Sequence, residues 1–146
     1  MNICIIIPAY NEEDYIANTL ESLVNQTYPI KEIVIVNDNS TDNTRAIIDS
    51  FSEKHSFIKS ITTKSQAIHL PGSKVINAFY KGFEFIDKEY DLICKIDGDL
   101  IFPSNYFESI IAIFNNNPSC GIAGGFCYIK KKDAWVLENL TNKDHI

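Results

Sequence analysis

The sequence predicts an α/β domain organised around a largely parallel sheet. Three observations carry that expectation. Continuous apolar runs alternate with amphipathic helical patterns from one end to the other. The runs are too unbroken and too β-branched for half-exposed strands, and polar residues gather where each run stops.

The elements follow in order. "ICIIIP" reads as a buried strand, and "EEDYIANTLESLVNQ" as a helix with Ile16, Leu20, Leu23 and Val24 at helical spacing and Asn11 available as N-cap. "KEIVIVND" is a second buried strand, and "STDNTRAIIDSFSEKH" a second helix with Ser40, Thr41 or Asp42 as its cap. "FIKSI" makes a third, short strand. After the loop "TTKSQAIHLPG", the segment "SKVINAFYKGFEFIDK" places Val75, Ala78, Phe79, Phe83 and Ile86 on one helical face despite Gly82. "YDLICKID" is a strand, "PSNYFESIIAIFNNN" a helix with Pro103 near its start, and "CGIAGGFCYI" a final extended stretch whose glycines allow close backbone packing. In "DAWVLENL", Trp135, Val136, Leu137 and Leu140 are expected to pack against structure outside the chain or to fold back as a helix.

Composition bounds the function. With 146 residues, 45% of them hydrophobic and 12% aromatic, the chain has material for one core. A net charge of −6 supplies no broad basic surface, which argues against nucleic acid or an anionic membrane as the main partner. Cys4, Cys94, Cys120 and Cys127 form no C-x-x-C pair and read as buried reduced thiols. The opening "MNICIIIPAYNEE" lacks a basic leader and is too short to span a membrane, so a cytoplasmic location is expected and the N-x-S/T triplets at Asn25, Asn39 and Asn139 carry no weight. His55, His69 and His145 show no metal-ligand spacing, and neither a G-x-S-x-G elbow nor a Walker loop is present.

Chemistry is expected at the strand ends, because ligands of open α/β sheets gather at the carboxyl edge. Three ends carry polar clusters: "PAYNEE", "NDNSTDN" and "DGD". If those strands are neighbours, Tyr10, Asn11, Glu12, Asp38, Asp97 and Asp99 face one crevice. Asp97 and Asp99 lie two apart on extended chain and so point the same way, with Gly98 leaving room for backbone approach. Their repulsion is removed by a divalent cation, and hard oxygen ligands suit Mg²⁺ or Mn²⁺ completed by substrate phosphates. A calcium loop starting at Asp38 fails, because Asn43 stands where glycine is needed and Asp49 where a bidentate glutamate is needed.

Together, "IIIPAYNEEDYIANTLESLVNQTYP", "KEIVIVNDNSTDNT" and "DLICKIDGDL" resemble the nucleotide-binding half of the family-two glycosyltransferases, which have the Rossmann-like, three-layer GT-A fold. The resemblance implies a nucleoside-diphosphate sugar as donor, a glycan, lipid or other hydroxyl as acceptor, and transfer with inversion assisted by Mn²⁺ or Mg²⁺. Carried over by position, Pro8, Tyr10 and Glu12 border the nucleoside, with Tyr10 packing on the base. Val36 and Asp38 match the second-strand motif, with Asp38 bonded to the base. Asp97 lies near the ribose, Gly98 belongs to the nucleotide-binding positions, and Asp97 with Asp99 form the metal pair, Asp99 on the diphosphate metal. Lys74 falls where a basic residue approaches the nucleotide. Phe102 and Tyr106 either border the donor sugar or pack in the core.

The resemblance divides the chain into a nucleotide-sugar-binding half, residues 1–129, and residues 130–146 as a tail or the start of an acceptor half. In the family the general base lies well downstream of the D-x-D. Asp133, Glu138 and Asp144 are the acids after the glycine-rich stretch, and none is marked as that base. The base is therefore expected beyond Ile146 in a longer protein, which leaves membrane association of that protein open. Two alternatives stand beside this reading. One is a fragment that binds nucleotide-sugar without catalysis. The other, a nucleotidyltransferase, is disfavoured by the acidic "PAYNEEDY" where a basic, glycine-rich phosphate loop is needed.

Overall fold

A computed structural model describes residues 1–63 and 73–138. His69, Asn139, Leu140, Asp144 and His145 lie outside the described residues. The chain divides into two compact units, Met1–Ser109 and Ile110–Ile146.

The first unit holds a four-stranded parallel sheet. Its strands are β1 (Ile3–Ala9), β2 (Glu32–Asn37), β3 (Ile58–Thr62) and β4 (Leu92–Lys95), in the order β3-β2-β1-β4. The connecting helices are α1 (Ile16–Val24), α2 (Thr44–Lys54) and α3 (Ser73–Phe85). The expected α/β, largely parallel architecture is present. β1 and β2 are the inner strands, and isoleucines 3, 5, 6, 7, 33 and 35 are fully buried. Each such side chain contributes about 1.5–3 kcal/mol by leaving water. β4 is a sheet edge, so its residues are half-buried and Lys95 is exposed.

The winding changes direction at β1. From β1 the chain steps through β2 to β3, and then α3 carries it back past β1 to β4. Right-handed crossovers place α1 and α2 on one face and α3 on the other. α3 covers the face formed by Cys4, Ile6, Val34 and Val36, which are packed with Ala78 and Ile86. Val36 is fully buried there, so it lies in the core beneath α3 and does not line the strand-end cleft. Gly82 explains how a helix with an interior glycine persists. A β-carbon there would meet Ile6 Cγ2 at 2.5 Å and Val36 Cγ2 at 3.0 Å, so α3 sits closer to the sheet than a side chain allows.

Local starts differ from those the sequence suggests. α1 begins at Ile16 with Tyr15 at the cap position and no side-chain cap. Asn11 instead takes a left-handed conformation, φ 54°, and its Oδ1 accepts the Thr41 N–H at 2.9 Å. That contact joins two strand-end loops, a long-range use that a helix pattern does not reveal. For α2, Asn43 occupies the cap position without capping, and Asp42 Oδ1 accepts the Thr44 N–H at 3.0 Å.

α4 (Tyr106–Asn116) begins in the first unit, where Phe107 is buried and its N–H donates to Gln26 Oε1 at 3.2 Å. Phe102 and Tyr106 pack against each other at 4.9 Å between ring centroids, and both rings contact Phe107. Both rings are half-buried and pack on the buried Phe107. In the second unit, β5 (Tyr128–Lys131) pairs antiparallel with β6 (Ala134–Leu137). Trp135, Val136 and Leu137 thus form a strand, not a helix, because the turn at Lys132, φ 54°, returns the chain onto β5. Within the expected extended stretch the β-strand covers residues 128–131, and among the described residues a β-carbon at Gly121 or Gly124 would meet nothing within 4 Å, so these two glycines serve no close packing there. Cys127, leading into an exposed hairpin, is itself exposed, while Cys94 and Cys120 are half-buried and only Cys4 is fully buried. The division expected after residue 129 falls inside β5.

Replacing Gly82 by alanine gains helix propensity, but places a methyl against two β-branched core residues. Overpacking of about 1–3 kcal/mol is expected to outweigh the roughly 1 kcal/mol propensity gain. Urea unfolding of Gly82→Ala is expected to show a lower midpoint; an unchanged or higher one contradicts the close approach of α3.

Candidate functional site

The carboxyl ends of β2, β1 and β4 lie side by side, and hydrogen bonds lock their loops together. The Asp38 N–H donates to the Ala9 carbonyl at 2.9 Å, continuing the sheet past β2. Beyond it, the Asn11 N–H donates to Ser40 Oγ at 3.1 Å and the Glu12 N–H to Thr44 Oγ1 at 2.7 Å. The Glu13 N–H donates to Asp42 Oδ2 at 3.2 Å, and Glu13 Oε2 accepts the Asn43 N–H at 2.9 Å. Five reciprocal contacts, with Thr41 on Asn11, explain the dense Asn, Ser, Thr and Asp content of both loops. Such side chains supply the partners that backbone groups lose when a strand ends.

The third loop is held from below. The Ile96 N–H donates to the Ile6 carbonyl at 3.1 Å, which carries the β4 pairing one residue further. Gly98 then packs on α1, where a β-carbon would stand 3.2 Å from Ile16 Cδ1 and 3.4 Å from Glu12 Cγ. Thr19 Oγ1 donates to the Gly98 carbonyl at 2.7 Å in a buried hydrogen bond. The turn is thereby fixed with Asp97 and Asp99 on either side of it.

A cleft of about 400 Å³ opens above these ends. Pro8, Tyr10, Glu12, Asp38, Lys74, Asp97, Gly98 and Asp99 all line it, so eight of the ten residues expected there converge; Val36 does not, and Asn11 is spent on the loop contact to Thr41. Ala9, Val75 and Ala78 also line it, and the sequence reading did not place them there. Val75 reads as an inward position of α3, yet it is 43% exposed at the cleft wall. Tyr10, 55% exposed, carries the Lys74 ammonium 5.8 Å from its ring centroid, within the range of a cation–π contact. Asp38 is buried, and its Oδ1 accepts the Thr63 hydroxyl at 3.2 Å.

The cleft is electrostatically crowded. Burial pushes the Glu12 carboxyl above its ordinary range, and the charges of Asp99, Asp97 and Asp42 push it further. Lys95 Nζ forms an ion pair with Asp97 Oδ1. Sequence reading missed Lys95, although the same two-residue alternation that aligns Asp97 with Asp99 extends back to it.

Two outcomes follow from this geometry. Thr19→Val keeps shape but leaves a buried carbonyl without its donor, so a loss of about 1–3 kcal/mol is expected, with faster amide exchange at residues 97–99; unchanged exchange there contradicts the support role. The raised Glu12 pKa means that the folded state resists the Glu12 charge: the cost is absent at low pH, grows as pH rises from the unfolded pKa through the folded one, and is full at neutral pH. Asp99→Asn is therefore expected to raise the melting temperature at pH 7 and to raise it less near pH ~3.5, below the raised Glu12 pKa, where Glu12 has lost its charge. A variant less stable than the parent at pH 7 refutes the repulsion.

Comparison with known proteins agrees with this arrangement. The sequence profile of Glycosyl transferase family 2 matches residues 4–142. Over 128 residues the chain is 40% identical to a probable glycosyltransferase, YdaM, of Bacillus subtilis, covering 85% of this chain and 29% of that protein. It is 32% identical over 132 residues to the poly-beta-1,6-N-acetyl-D-glucosamine synthase of Staphylococcus epidermidis, covering 90% of this chain and 30% of the synthase. The fold superposes on S. aureus TarS 1–349, crystallised with UDP, with a TM-score of 0.66 and 26% identity, covering 81% of this chain and 33% of that 1–349 chain. The chain thus spans about a third of the length of these relatives. With the parallel GT-A sheet, the strand-end cleft and a profile match over nearly every residue, the chain belongs to glycosyl transferase family 2.

Proposed function

We propose that this chain supplies the donor site of a glycosyltransferase that moves a sugar from a nucleoside diphosphate to an acceptor hydroxyl with inversion. One observation carries the reading: polar clusters from three separated segments line a single cleft at the carboxyl edge of the sheet. In this proposal Tyr10 offers its exposed ring to the base, Asp38 accepts hydrogen bonds from base N–H groups, and Pro8 and Glu12 border the nucleoside. Asp97 and Gly98 lie beside the ribose, and Lys74 compensates negative charge on the diphosphate. UDP is the first nucleotide to test, because TarS was crystallised with it.

Asp97 and Asp99 would hold Mn²⁺ or Mg²⁺. The donor set fits such an ion: two carboxylates flank a glycine turn that is itself fixed by Thr19. Among the described residues no three His, Cys, Asp or Glu side chains form a complete metal cluster, so diphosphate oxygens and water would supply the remaining ligands. When bound, the ion offsets the charge that builds on the departing diphosphate.

Inversion requires a general base at the acceptor hydroxyl. Asp133 lies in the turn of an exposed hairpin of the second unit, and neither it nor Glu138 is assigned that role. In the proposal the base and the site for a glycan, lipid or other hydroxyl acceptor belong to sequence outside residues 1–146. Among the described residues no helix is long and apolar enough to cross a membrane. A second reading, a binding fragment without turnover, rests on the same observation about the base.

Calorimetric titration with UDP and GDP, in Mn²⁺ and in chelator, tests the donor site. Tight binding only with metal is expected, and Asp99→Ala is expected to weaken it by at least about tenfold, the cost of losing even an outer-shell partner. Metal-independent binding, or binding unaffected by Asp99→Ala, refutes the assignment. The 146-residue chain is expected to bind donor without transferring sugar; turnover by it shows that the base lies within these residues.

A further inference from the structure

Lys95 has no part in the donor contacts described above, yet the fold aims it at them. It is the last residue of β4 and pairs with Ile6 of β1. Cys4 and Ile6 belong to the cluster under α3, and Ile93 packs against that cluster, so strand alternation turns Lys95 to the same face. Two residues further along, Asp97 continues on that side and receives the Lys95 ammonium. A cation is thus built in beside one of the two carboxylates assigned to the metal.

We propose that Lys95 discriminates between the bare cation and the metal–nucleotide complex, a role that rests on the donor-site reading above. The argument is one of charge. A bare divalent ion arriving at Asp97 meets an ammonium already paired there and is repelled by it. A divalent ion carried by a nucleoside diphosphate arrives in a complex of net negative charge, and the same ammonium attracts it. The four-carbon lysine stem lets the charge swing from Asp97 to diphosphate oxygens as the metal takes its place. Glu12, Asp38, Asp97 and Asp99 all line the cleft, and without Lys95 this acidic rim would collect divalent ions before any donor arrived. Lys74, over the Tyr10 ring, can meet the diphosphate, but Lys95 is the cation paired with Asp97 of the metal pair itself. Lys95 therefore couples metal binding to nucleotide binding, and by linkage the coupling acts equally in both directions.

The test compares the parent chain with Lys95→Gln and Lys95→Met, which remove the charge, and Lys95→Arg, which keeps it. Mn²⁺ alone and Mn²⁺ with UDP are titrated by calorimetry, and free Mn²⁺ is counted by electron paramagnetic resonance. The neutral variants are expected to bind bare Mn²⁺ about three- to tenfold more tightly and the Mn²⁺–UDP complex about three- to tenfold more weakly, with both differences shrinking in ~0.5 M salt. Lys95→Arg is expected to follow the parent. Changes of the same sign for both ligands, or no change in either, overturn the role of Lys95 while leaving the donor site standing. If the parent shows no metal-dependent UDP binding, the donor site falls and the role of Lys95 falls with it.

Discussion

Winding outward from β1 in two directions leaves a gap that no crossover helix fills. α1 and α2 lie on one face of the sheet and α3 on the other; the loop after β4 runs back onto α1, where Thr19 holds Gly98, so the carboxyl edge stays open on the side walled by α3. Every other feature of the site depends on that gap. The end of β2 reaches it because Asp38 bonds back to Ala9, and the first turns of α3 wall it with Lys74, Val75 and Ala78. Gly82 makes the wall close, since α3 approaches Ile6 and Val36 at a distance that excludes any side chain.

Within the gap the chain accepts an electrostatic conflict. Burial raises the Glu12 pKa and the nearby charges of Asp99, Asp97 and Asp42 raise it further, while the Gly98 turn between the two aspartates is pinned on α1 by Thr19. Rigid support is what makes the crowding useful: free carboxylates would separate, whereas fixed ones keep their negative charge in one place, where Lys95 already pairs with Asp97. The opposite, amino edge of the sheet shows how carboxylates are settled where no ligand is called for. Glu32 is buried, yet it pairs with Lys59 and accepts the Asp87 N–H at 2.8 Å, while Lys31 bonds to Asp87 at 3.1 Å.

Much of this was legible in the sequence because it depends on local pattern. The unbroken "CIII" and "IVIV" runs announce inner strands, and the strand-end rule turns three polar clusters into one site. What was not legible depends on partners distant in sequence. Asn11 reads as a helix cap until Thr41 takes its side chain, and Val36 reads as a motif residue until α3 covers it. Lys95 was hidden by the edge position of β4, which leaves a lysine at the end of an apolar run exposed and free to turn toward Asp97. Gly121 and Gly124 misled for the converse reason: glycine permits close approach without requiring it.

The central claim is that acids from three strand ends line one donor site, in which Asp97 and Asp99 hold an ion together with the diphosphate. Mn²⁺ broadens the amide signals of nearby nuclei, so an NMR spectrum of the chain with UDP and substoichiometric Mn²⁺ tests it most directly. The account expects selective loss of signal at Tyr10–Glu12, Asp38 and Asp97–Asp99, with signals from Lys31 and Asp87 at the amino edge retained. Broadening centred on the amino edge, or spread evenly over the chain, would contradict it.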